Sequence, residues 1–248
     1  MAWSVDWDRL FEKYEASWEI IPTGWPPSDD PMRPTTTRTN TFHFEASVPL
    51  QVLATPTDDD AQWLIAGLRD NRSWFVLQLF DLAPAIAEVF FKPLLDGGID
   101  ELEPSGCRYY VTACPGTFGV QKTREYLYSV IEGGSDLQKA GATWCLYWSG
   151  APSHGTSRNW DPLEVFPSEE KEQELRRREM DLLLQTFLAT KHFELRNAIL
   201  ARLSFRTSDY PEELRPVLRR AVAKARGERD LLWLLEYRLS EAKRSESR

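Results

Sequence analysis

Residues 117–150, TFGVQKTREYLYSVIEGGSDLQKAGATWCLYWSG, constrain the fold more than any other stretch, because they read as two helices joined by a tight turn. In the second helix Leu137, Ala140, Gly141, Trp144, Cys145 and Trp148 recur at helical spacing, so one apolar stripe runs its length and is expected to be buried. Ser135 followed by Gln138 is a capping-box pair, and Gly133 and Gly134 are placed to end the preceding helix with positive φ. Thr123, Tyr126, Leu127, Val130 and Ile131 give the first helix a matching face, which predicts an antiparallel helical hairpin. Gly141 costs a helix interior about 1 kcal/mol against alanine, and close approach of a neighbouring helix backbone is the expected compensation.

The same period predicts helices over residues 60–69, 72–82, 85–96, 105–114, 119–132, 136–149, 168–189, 192–205, 211–226 and 229–243. Turn signals separate them at Asp70-Asn71, Pro84, Gly97-Gly98, Pro115-Gly116, Gly133-Gly134 and Gly227. Asp58, Asp59 and Asp60 fall where a helix N-terminus favours negative charge, which makes them cap and first-turn residues before a metal cluster. Ahead of this region the chain is irregular. A first helix is expected over residues 4–18, with Ser4 as its cap and Val5, Leu10, Phe11, Tyr14 and Trp18 inward. A long Pro- and Thr-rich loop follows from Ile20 to Thr57, with a short extended piece at Thr41–Glu45. The domains expected are therefore 1–57, a helix and loop packed on the main body, and 58–248, a helical domain interrupted by a loop at 150–167.

Leu214, Val217, Leu218, Ala221, Val222 and Ala225 repeat the central stripe after an Asp209…Glu212 capping pair with Pro211 between them. A further helix opens with Glu194-Leu195-Arg196 and continues with Ala198, Ile199 and Leu203; Asp136-Leu137-Gln138-Lys139-Ala140 is a weaker copy. These openings resemble the second helices of HEAT repeats, which begin with an acidic residue, an apolar residue and Arg or Lys, then small and branched residues. The resemblance is to an architecture and extends over about residues 58–243. It implies an all-α fold in which helix pairs stack into a right-handed superhelical solenoid, one helix of each pair lining the concave face. An irregular all-α bundle is the alternative.

Net charge is −8, distributed unevenly. Residues 1–60 hold 4 basic and 11 acidic groups, 61–167 hold 8 and 12, and 168–248 hold 18 and 15. Such a balance disfavours nucleic acid as a partner and favours a basic protein surface. No apolar run is long enough to span a membrane, and the acidic start MAWSVDWDRLFEKYE is unlike a signal peptide, which together predict a cytoplasmic protein without membrane contact. Cys107, Cys114 and Cys145 read as reduced core thiols, and neither they nor His43, His154 and His192 have metal-ligand spacing. No phosphate-binding or dinucleotide-binding motif is present, and neither metal nor cofactor is expected.

The loop SGAPSHGTSRNWDPLEVFP is the one stretch whose composition asks for a functional reading. A His154–Asp161 general-base dyad with Ser153 or Ser157 nearby is conceivable there, but no oxyanion motif accompanies it. Asn159 and Asp161 as turn formers, with Trp160 plugging the loop, account for the same residues. No catalytic residue is therefore assigned. Trp25, His154, Arg158, Trp160 and Asp161 are the expected partner contacts. Taken together, the sequence predicts a non-enzymatic protein-binding module: an acidic solenoid acting as an adaptor, or similar in size and charge to the immunity proteins that cover bacterial toxins. The alternatives are a HEAT-like DNA-base glycosylase and a hydrolase using the 150–167 loop.

Overall fold

The computed structural model describes residues 5–22, 36–101, 103–150 and 165–246. They are mostly helical and cluster into two units, 1–90 and 91–248.

In the first unit α1 (Trp7–Ala16) is capped by Asp6, whose carboxylate accepts the Arg9 N–H at 3.1 Å; Ser4, the expected cap, lies outside the described residues. The chain then does something the sequence reading missed. β1 (Trp18–Pro22) pairs antiparallel with β2 (Thr36–Asn40), Trp18 opposite Asn40 and Pro22 opposite Thr36. The β-branched residues of both segments favour extended backbone. The Asn40 side chain ties the hairpin to the end of α1, accepting from Ser17 Oγ at 2.7 Å and Phe42 N at 2.8 Å and donating to the Tyr14 carbonyl at 3.1 Å. The expected extended piece at Thr41–Glu45 is corrected, because Phe44–Ser47 form a helical turn, α2. Phe42 and Phe44 both enter an aromatic cluster around Phe75, whose ring centroid lies 5.1 Å from Tyr14, 5.5 Å from Phe44, 5.8 Å from Phe11 and 6.1 Å from Phe42.

After a 3-10 turn at Leu50–Leu53, α3 (Asp58–Gly67) opens with a capping box in which Thr57 and Asp60 exchange side-chain and backbone bonds. Asp60 also accepts Trp7 Nε1 at 2.6 Å, so the carboxylate has two structural partners. Trp7 stacks on Trp63 at 5.6 Å, and Arg72 covers the Trp63 ring at 4.3 Å. α4 (Ser73–Leu82) carries Phe75 into the core, and a 3-10 turn at Glu88–Phe90 completes the unit.

The second unit begins with α5 (Phe91–Asp100), and here Gly97-Gly98 is not the expected turn. Both glycines are buried within the helix, because a Cβ at Gly97 would stand 2.7 Å from the Tyr110 ring and one at Gly98 would stand 3.1 Å from Tyr110 Cβ. α6 (Cys107–Val111) and α7 (Ala113–Phe118) follow, with Pro115-Gly116 inside α7. The break falls at Gly119, whose φ of +89° is the sole positive value among the described residues. Helix α8 (Val120–Gly133) and helix α9 (Asp136–Trp148) form the predicted hairpin, and Ser135 and Gln138 make the predicted capping box. Its turn needs no positive φ: Gly134 has φ −76° and ψ 174°, and its N–H bonds the Val130 carbonyl at 2.8 Å.

The remaining helices are α10 (Glu169–Ala189), α11 (Phe193–Arg202), α12 (Arg215–Arg226) and α13 (Arg229–Glu246). The start of α12 differs from expectation. Glu212–Leu214 form a 3-10 turn, Pro216 lies in the first turn of the helix, and Asp209 accepts from Ser204 Oγ at 2.5 Å. Successive helices align in two rows: α8 packs on α10 and α10 on α12, while α9 packs on α11 and α11 on α13. Across the rows α8 meets α9, α10 meets α11 and α12 meets α13; α5 and α6 cover another side of α9. Leu218, Ala221 and Ala225 are buried as the α12 stripe requires. The α9 stripe is buried only in part. Ala140, Gly141 and Cys145 are inside, Trp144 and Trp148 are half-buried, and Leu137 is 61% exposed, because the apolar surface runs round most of the helix and one side stays uncovered.

A Cβ at Gly141 would lie 2.0 Å from the Ile99 carbonyl oxygen and 2.8 Å from its carbon, the helix-backbone approach that the sequence predicted. Gly141→Ala is therefore expected to destabilise by at least about 1–3 kcal/mol, since backbone and not a pliable side chain must move. Gly133→Ala, with nothing within 4 Å, should stabilise by about 0.5–1 kcal/mol through helix propensity. Urea denaturation of the two variants measures both, and equal midpoints would contradict the close packing of α5 on α9.

Candidate functional site

Trp25, His154, Arg158, Trp160 and Asp161, the expected contact residues, lie outside the described residues, as do Ser153 and Ser157. The two ends of the 151–164 segment are described, and both lie along the first turns of α8. A Cβ at Gly150 would sit 2.9 Å from an Arg124 guanidinium nitrogen. Val165, Phe166 and Pro167 share a cavity of about 340 Å3 with Phe118, Gly119, Gln121, Lys122 and Glu125.

Lys122 Nζ stands 4.6 Å over the Phe91 ring, which meets Phe118 at 5.1 Å and Tyr126 at 5.7 Å. Asp96 accepts from both Tyr126 and Lys92. Burial, reinforced by the Asp96 bond, raises the Tyr126 hydroxyl above its ordinary value, and the Asp96 bond raises Lys92. Both shifts lead away from neutrality, opposite to what general acid–base work at neutral pH asks of such groups.

Behind the cavity a strap of charge joins three helices. Arg124, buried on α8, bonds Glu172 of α10 at 2.8 Å, and Arg176 bonds the same carboxylate at 2.7 Å. Tyr128 donates to the Leu175 carbonyl at 3.1 Å and to Glu179 at 3.3 Å, and Arg202 of α11 meets Glu179 at 2.7 Å. Burial and the Glu179 charge push the Tyr128 hydroxyl far up, so it is a permanent donor. Arg196, buried on α11, meets Glu228 and the Thr190 carbonyl. A second cavity of about 370 Å3 is lined by Arg202, Ser204, Phe205, Arg206, Asp209, Arg238, Glu241 and Ala242. Two of its arginines are matched by acids, Arg202 by Glu179 and Arg238 by Glu241 at 2.9 Å.

All three cysteines are buried free thiols. A hydrogen bond with Cys107, then burial, pushes the Cys145 thiol up, which keeps it protonated and unreactive. His43 precedes α2 and His192 precedes α11. Among the described residues no three His, Cys, Asp or Glu side chains are placed to hold a metal ion, and no helix is long and apolar enough to cross a membrane.

A feature missed by the sequence reading stands on the second row. Leu137 and Tyr147 of α9, Phe193 of α11, and Trp233 and Tyr237 of α13 are all large, apolar and exposed; among the described residues α8, α10 and α12 carry none. Four acids on the same row, Asp136, Glu194, Asp230 and Glu236, are exposed and make no ion pair with the described residues, whereas Glu241 is paired with Arg238. On the first row two arginines of α10 are occupied, Arg177 with Glu213 and Arg178 with Glu132, each at 3.0 Å, while Arg219, Arg220 and Arg226 of α12 are exposed and make no ion pair with the described residues. Comparison with protein-family models, characterised proteins and solved structures finds no match to this chain.

Glu172 supplies a pH test. Burial acts to raise its pKa, yet the bonds from Arg176 and Arg124 prevail and hold it below the ordinary glutamate range. A carboxylate depressed on folding contributes stability that is complete above its unfolded value and is lost as pH falls through the folded one. Glu172→Gln should therefore lose less stability than the parent chain between about pH 5 and pH 2, measured as the urea midpoint. An equal loss in both would mean that the strap carries no net charge coupling.

Proposed function

We propose that this chain is a non-enzymatic protein-binding module of HEAT-like solenoid architecture. The two rows of paired helices in residues 91–248 support the architecture, with Arg196 on α11 as the buried basic residue of the motif. The observation that carries the function is the grouping of exposed Leu137, Tyr147, Phe193, Trp233 and Tyr237 on the α9–α11–α13 row, interspersed with acids that make no ion pair with the described residues, while α8, α10 and α12 expose no large apolar side chain among the described residues. Tyr and Trp lead the residue types that anchor protein interfaces, and grouped apolar exposure of this kind marks interaction surfaces. The fitting partner is a protein with a basic surface, as the acidic excess of the N-terminal two-thirds also favours. An adaptor, or an immunity-type protein that covers a basic toxin, has this chemistry.

Cross-linking of the chain expressed in its own host, followed by mass spectrometry, identifies the partner. With that partner in hand, Tyr147→Ala and Phe193→Ala should each weaken binding by about 1–2 kcal/mol while leaving thermal unfolding unchanged. The association rate should fall as salt shortens the screening length from about 30 Å at 0.01 M to about 10 Å at 0.1 M. Micromolar binding of duplex DNA with a steep salt dependence would overturn this reading in favour of a nucleic-acid enzyme.

A further inference from the structure

The outer side of α13 has a pattern that the rest of its row lacks. Leu231, Leu234 and Leu235 face inward, and α13 packs on α11 and α12 through that side. The opposite side presents Asp230, Trp233, Tyr237, Ser240 and Arg244, with Trp233 66% and Tyr237 53% exposed. Their spacing alternates three and four residues, which is the seam of an antiparallel or parallel helix pair. Along this seam an acid stands at the N-terminal end, two aromatic rings in the middle, a small hydroxyl next, and a base at the C-terminal end.

We propose that this ridge is a homodimer seam, in which α13 of one copy lies antiparallel against α13 of a second copy about a two-fold axis at Tyr237. Asp230 and Arg244 each lie seven residues from Tyr237, so an antiparallel pair centred there sets Asp230 of each copy beside Arg244 of the other. Trp233, four residues before Tyr237, falls beside Ser240 and Glu241, three and four residues after it, so the large ring lies over the small Ser240 side chain, and the two Tyr237 rings meet at the axis. One surface thus complements itself twice, as an isologous interface must. A parallel pairing would instead bring Asp230 against Asp230 and Arg244 against Arg244. Arg244 is free to turn outward to this role: its bonds run to Ser240 Oγ at 3.1 Å and, weakly, to the Ser240 carbonyl at 3.4 Å, and it forms no ion pair with the described residues. Leu137, Tyr147 and Phe193 stay open on α9 and α11, so with α13 taken up by a second copy the partner surface is the α9–α11 part of the row.

Acid at the start of a helix and base at its end also complement the helix dipole within a monomer, so monomer stability does not discriminate between the two roles. Charge exchange does. Sedimentation equilibrium of the full chain should show dimers with a dissociation constant on the order of 10 µM, in keeping with a small interface. Asp230→Arg and Arg244→Asp, made singly, should each weaken dimerisation by more than about tenfold through like-charge contact, and the double exchange should restore it. Tyr237→Arg, which sets two like charges at the axis, should abolish the dimer without loss of helicity by circular dichroism. A parent chain that stays monomeric to about 1 mM, or a dimer indifferent to these four variants, overturns the proposal.

Discussion

The backbone of Ile99 occupies the space where residue 141 would carry a side chain, and the packing of the second unit follows from that approach. With no Cβ at Gly141, α5 can lie against α9 at backbone distance, and Gly97 and Gly98 make room on α5 for the Tyr110 and Val111 side chains of α6. Helix α9 is then enclosed by α5, α6, α8 and α11, which leaves a single strip of it facing outward. The strip holds Leu137 and Tyr147, so the interaction that fixes the core also decides which apolar residues the core cannot take in.

Local chemistry was the readable part of this sequence. Thr57 with Asp60, and Ser135 with Gln138, build their capping boxes from residues three apart, and no distant contact alters that arrangement. Gly141 was readable as well, since a glycine in a strong helix calls for a close neighbour. Glycine pairs were ambiguous for the same reason. A turn and a tight crossing both require a missing side chain, and sequence alone does not separate Gly97-Gly98, buried in a helix, from Gly133-Gly134 at a helix end. The hairpin at Trp18–Pro22 and Thr36–Asn40 escaped because its partners are separated by residues 23–35 and its order depends on Asn40 reaching back to Ser17 and Tyr14.

The exposed row was hidden by a different limit. Periodicity finds apolar stripes but is silent on what covers them, so Leu137, Trp144 and Trp148 read as core beside Ala140 and Cys145. The candidate contacts drawn from composition, Trp25 and the 154–161 group, lie outside the described residues, and the side chains that support a binding role sit on regular helices. Charge shows a similar division. Linear counting gave an acidic N-terminal part and a nearly balanced C-terminal part, while among the described residues the fold pairs Arg177 and Arg178 with acids and leaves Asp136, Glu194, Asp230 and Glu236 on the second row, and Arg219, Arg220 and Arg226 on α12, without an ion pair.

The stacked indoles of Trp7 and Trp63 have a consequence for watching this molecule come apart. Rings 5.6 Å apart and inclined by 20° couple their electronic transitions, giving a paired band in ultraviolet circular dichroism that neither indole has alone. Both belong to the first unit, whose aromatic core around Phe75 is distinct from the helix rows of the second. Loss of the band tracks the melting of residues 1–90, while helical ellipticity is dominated by residues 91–248. One optical experiment at two wavelengths thus separates the cooperativity of the halves.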